Sequence, residues 1–102
     1  MTVYVTQELK GRDLSSALEF GELQVVVPAN MEVTPTSMPA VMHVVFNAME
    51  SFHCDRDYLL LSGDPVVMGF VWQVAAEGVY DDKSLRVLRW DRIESRYILF
   101  HV

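Results

Sequence analysis

The chain has 102 residues, half of them apolar, with fourteen acids against eight lysines and arginines and a formal net charge of −6. That apolar content excludes a disordered chain, and the charge argues against general affinity for nucleic acid, whose phosphates an acidic body repels. A length of this order predicts one domain, 1–102, large enough to bury its own core.

The elements follow in chain order. Residues 3–7 alternate and are β-branched or aromatic, so they predict a short strand. Lys10 to Asp13 reads as a loop. Asp13 or Ser15 is placed to cap a short helix through Leu14, Ala17, Leu18 and Phe20, ended by Gly21. Residues 23–27 predict a second strand, stopped by Pro28. Residues 28–37 carry turn-forming side chains and read as a loop.

Ser37 before Met38-Pro39 predicts a capped helix start, with the helix running to about Phe52. Its apolar positions Val41, Val44, Val45, Ala48, Met49 and Phe52 fall on one face, with Met42 and Phe46 off it. After the polar run His53 to Asp57, the apolar run 58–61 predicts a central parallel strand covered on both faces. Ser62-Gly63-Asp64-Pro65 combines a turn-forming glycine, a capping aspartate and a first-turn proline, and predicts a strand-to-helix turn. The next helix spans 65 to about 77, with a stripe of Val67, Phe70, Val71 and Val74 and with Met68 and Trp72 outside it. Gly69 within it is expected to allow close packing on the sheet.

Residues 85–90 and 96–102 are strand-like and joined by five residues, a hairpin length. A helix over 84–95 competes, with Leu85, Leu88 and Arg92 on one face. The β-branched and aromatic content favours strands.

The alternation predicts an α/β fold, a small Rossmann-like domain of two or three layers. Its sheet is expected to be mainly parallel and five-stranded, in order 2-1-3-4-5, ending in a C-terminal β-hairpin. There is no basic segment followed by an apolar one near Met1, and no apolar run of membrane-span length, so neither a signal peptide nor a membrane association is expected. The single cysteine, Cys54, excludes an internal disulfide and a Cys-rich zinc site and favours a reducing cytoplasm. Charge is unevenly spread. Residues 1–82 hold twelve acids and three bases; residues 83–102 hold five bases and two acids.

The segment from Asp57 to Pro65, followed by an apolar helix, Arg86-Val87-Leu88-Arg89-Trp90-Asp91-Arg92 and Arg96-Tyr97-Ile98, resembles a family of small uncharacterised proteins of tailed bacteriophages. The turn Phe20-Gly21-Glu22-Leu23 fits the same pattern, which spans about half the chain. The loop 28–37 and the His53-Cys54 pair lie outside it. The resemblance implies a phage protein in the cytoplasm of an infected bacterium, and brings no activity or catalytic residue with it.

Candidate chemistry is sparse. In open α/β sheets ligands bind beyond the carboxyl ends of strands, so Thr6, Gln7, Asn30, Ser62, Gly63 and Asp64 form a candidate ligand site for a nucleotide or anion. The plainer reading is a turn that merely joins strand to helix, because Asp64 adds negative charge, Pro65 removes an amide donor, and neither a G-x-G-x-x-G nor a Walker lysine is present. His53, Cys54, Asp55 and Asp57 are adjacent rather than spaced as metal ligands or a held thiol–base pair. Asp81-Asp82 reads as a solvated turn, and His43 and His101 as packing or surface residues. No catalytic residue, metal or cofactor is expected. Met42, Phe46, Met68 and Trp72 make the helices apolar on a second side, which points either to an interface, with a second copy as the simplest partner, or to cover by the short helix and the loop 28–37. The leading expectation is a non-catalytic phage accessory protein that binds and modulates a host protein. The alternative is a small-ligand binding domain using the 62–65 turn.

Overall fold

The computed structural model describes residues 1–102. The strands are β1 (Thr2–Gln7), β2 (Glu22–Val27), β3 (Tyr58–Leu60), β4 (Arg86–Asp91) and β5 (Arg96–His101). The helices are α1 (Met38–Ala48), which runs on as a 3-10 turn over Met49–Ser51, and α2 (Pro65–Ala76). The sheet order is β2-β1-β3-β4-β5, parallel throughout except for the antiparallel β4–β5 hairpin. Strand order, helices and hairpin are those the alternation predicts. Residues 84–95 are not a helix, because Val87 and Leu88 extend the pairing of Leu59 and Leu60.

The connections decide which face each helix takes. From β2 to β3 and from β3 to β4 the chain crosses the sheet in one direction, so right-handed crossovers put α1 and α2 on the same side. From β1 to β2 it goes the other way, and that connection lies on the opposite side. The side chains agree. Tyr4, Leu59 and Val87 pack with Val41, Val45 and Met49 of the α1 segment and with Val67, Val71 and Ala75 of α2. Val3, Val5, Leu60 and Leu88, pointing the other way, meet only Ala17, Tyr58 and Tyr97, with Leu14, Phe20, Leu23 and Trp90 half-buried around them. The molecule is accordingly thin, 36 × 36 × 20 Å.

Three local expectations are corrected. The segment after Asp13 forms a single 3-10 turn, Ser15–Ala17, with Ser15 N–H donating to Asp13 Oδ1 at 2.9 Å, rather than a helix. Ser37 does not cap α1 through its side chain. Its hydroxyl instead donates to Glu32 O at 2.8 Å and accepts from Thr34 N–H at 2.9 Å, fastening the preceding loop. Gly69 does not approach the sheet: it is exposed, and open space surrounds the position of a Cβ. The fully buried stripe of α2 is Val67, Val71 and Ala75, which turns residue 69 to solvent.

Candidate functional site

The turn after β3 is built from β1. Thr6 Oγ1 donates to Ser62 O and accepts from Ser62 N–H at 2.9 Å. Gln7 Oε1 accepts from Asp64 N–H at 2.7 Å, and Asp64 Oδ1 caps α2 through Val66 N–H at 2.8 Å. Gly63 sits at φ +91°, where a Cβ would collide with the Gln7 side chain. Thr6, Gln7, Ser62, Gly63 and Asp64 therefore do come together. Asn30 is exposed and makes none of these bonds. Three of the amides an anion would need are already taken by protein groups, while the buried Ser62 hydroxyl has no partner. Beside the turn a hollow of about 160 Å³ is lined by Val33, Thr34, Pro35, Met38, Asp64 and Val66.

The residues 53–57 are tied down structurally. Asp57 is only 2 % exposed. Its Oδ1 accepts from Thr2 N–H at 3.1 Å and its Oδ2 from His53 N–H at 2.9 Å, with Arg56 Nε at 3.6 Å. This carboxylate clamps the loop to the start of β1. The Cys54 thiol is buried and faces Gly78 O at 3.7 Å, while the His53 ring is exposed. No three His, Cys, Asp or Glu side chains converge in a metal-binding group. Burial raises the pKa of the Tyr4 hydroxyl, and the negative charge of Asp57 adds to the effect. The hydrogen bond from Ser15 N–H lowers that of Asp13.

The helix surfaces divide the four interface candidates. Phe46 is 52 % exposed and rests edge-on against Phe70, ring centroids 5.4 Å apart. Met42 and Met68 are half-buried. Trp72 packs against the core and continues into a groove beside α2.

That groove is the largest departure from the sequence reading. The helix layer stops at α2, and β4 and β5 extend past it. A groove of about 190 Å³ is lined by Leu61, Trp72, Val87, Arg89, Phe100 and Val102. Phe100 is 38 % and Val102 59 % exposed, and the Arg89 guanidinium lies 4.9 Å over the Phe100 ring. The hydrogen-bonded pair Leu85–Val102 sets the phase of the hairpin. The amides of Ile98 and Phe100 therefore face β4, and those of Tyr97, Leu99 and His101 face the open side. Tyr97 N–H is satisfied by Ser16 Oγ at 3.0 Å. Leu99 and His101 remain as an unprotected edge, without proline, lysine or bulge to blunt it. At the hairpin tip Ile93 is almost wholly exposed between Arg92 and Glu94. The readable signal was the run Tyr97-Ile98-Leu99-Phe100, apolar on both strand faces although the sheet ends there.

On the opposite face, at the start of β4, Arg86 stacks on Tyr58 with its Cζ 4.4 Å from the ring centroid. Its Nε and Nη2 are buried without an acceptor. The adjoining hollow mixes Lys83, Arg86 and His101 with Asp55 and Asp82, so its charges largely offset one another.

No helix is long and apolar enough to cross a membrane. No curated protein and no solved structure matches the chain. The family model described as Phage Pam3 gp32-like protein matches residues 1–102. With a match of that extent, the chain belongs to the Phage Pam3 gp32-like protein family.

Proposed function

We propose that this phage protein is a non-catalytic accessory factor that binds a protein of the infected host, in the bacterial cytoplasm, through the β4–β5 hairpin. The observation that carries this reading is the uncovered groove of Trp72, Phe100 and Val102 beside the free edge of Leu99 and His101. An open edge next to apolar pockets is the arrangement that accepts an added strand. Arg89, Arg92 and Arg96 are exposed around it, within a chain that is otherwise acidic. The fitting partner is an extended segment with apolar side chains and flanking carboxylates. A second copy paired through the same edge would set these arginines against one another, which disfavours it.

The test is co-isolation from infected cells with tagged wild-type protein, Phe100→Glu and Phe46→Glu. A partner retained by wild type and Phe46→Glu, lost with Phe100→Glu and weakened by moderate salt supports the hairpin. Equal retention by both variants removes it. The small-ligand reading at residues 62–65 rests on the unpartnered Ser62 hydroxyl alone, since the amides of Ser62, Asp64 and Val66 are bonded within the protein.

A further inference from the structure

A second cleft opens at the carboxyl ends of β1 and β4, on the face away from the helices. It measures about 370 Å³ and is lined by Gly11, Arg12, Asp13, Trp90 and Arg92. A volume of this size falls within the range of small-molecule sites, roughly 300–1,000 Å³. Its two arginines come from segments at opposite ends of the chain. Neither forms an ion pair: the two in the structure are Arg56–Asp57 and Arg89–Asp91. Two arginines without ion pairs therefore line one cleft. The one acid beside them, Asp13, has an oxygen engaged by Ser15 N–H. Trp90 is half-buried and packs edge-on against Tyr97, ring centroids 5.2 Å apart. The Tyr97 hydroxyl, buried in the same cluster, has no hydrogen-bond partner.

We propose that this cleft binds a nucleoside monophosphate, with the base against Trp90 and the phosphate between Arg12 and Arg92. An aromatic platform holds a base of any identity, and guanidinium groups suit phosphate oxygens. The acidic body disfavours a long polyanion but is screened over about 8 Å at physiological salt, which leaves a single phosphate free to enter. The cleft lies on the side of the sheet where the parallel strands end, the side on which α/β sheets bind ligands, though away from the β1–β3 switch point. Arg12 and Trp90 take no part in the hairpin groove, while Arg92 lies at the border of the two.

Calorimetric titration of the unmodified protein with AMP and with UMP tests this. The controls are inorganic phosphate, the free nucleosides and a single-stranded oligonucleotide. The expected result is saturable binding of both nucleotides, tighter than phosphate or nucleoside alone. Arg12→Gln and Arg92→Gln, both at exposed positions, should each weaken it about ten-fold while leaving the circular dichroism spectrum unchanged. Trp90→Leu should weaken it further. Absence of saturable binding at millimolar nucleotide overturns the proposal. So does an affinity unchanged in both arginine variants, or an oligonucleotide that binds more tightly than the mononucleotides at equal salt.

Discussion

The two faces of the sheet are covered in different ways. One carries α1 and α2, whose valines interlock with Tyr4, Leu59 and Val87. The other carries a loop with one 3-10 turn, which places Ala17 over Val3, Val5 and Leu60 and fixes the edge of β5 through Ser16. Helix packing is stiff, because each helix satisfies its own backbone and moves as a unit. A loop has few such bonds and adjusts locally. The first face supplies rigidity; the second supplies an adaptable cover, and the hairpin outruns both.

Leu59 and Leu60 make this comparison directly, since they are neighbours on β3, fully buried, and on opposite faces. Leu59→Ala should destabilise by about 4 kcal/mol and Leu60→Ala by about 3 kcal/mol, because the loop side can close part of the cavity and the helix side cannot. Equal losses in chemical denaturation would show the two covers to be equally rigid. Ser16→Ala should lower stability by about 1 kcal/mol by removing the acceptor of Tyr97 N–H. It should also speed hydrogen exchange at that amide, which sharpens the role of the loop as an edge guard. Gly69→Ala should stabilise by roughly 0.5–1 kcal/mol, since residue 69 is helical, exposed and surrounded by open space. The smallest effect concerns pH. The Tyr4 pKa is raised in the folded protein, so the native state holds that proton more firmly than the unfolded chain does. Stability from this group is present below about pH 10 and declines as the pH rises through the folded value. Tyr4→Phe should flatten that decline.

The strand order was legible because alternation and crossover handedness leave few arrangements for a chain that reads strand–helix–strand–helix–strand. The capping of α2 was legible because Asp64-Pro65 acts within one turn. Ser37 does not cap α1 because its hydroxyl oxygen accepts from Thr34 N–H on the loop side rather than from a helix amide, while its proton goes to Glu32 O. Gly69 misled because the 65–77 segment is apolar nearly all round, so its buried side is not set by pattern alone. Asp57 reads as one of several loop acids, and only the fold brings Thr2 N–H to it. The Trp90 cleft joins residues some eighty positions apart, and no local pattern announces such a meeting.

The central claim is that the open edge of β5 is where a partner binds. Hydrogen exchange of the complex isolated from infected cells, compared with the free protein, tests it at single-residue level. The expected result is new protection at the amides of Leu99 and His101, with the amides of β2, the other edge of the sheet, unchanged. Protection that appears along β2 or across α1 while Leu99 and His101 still exchange freely would contradict it.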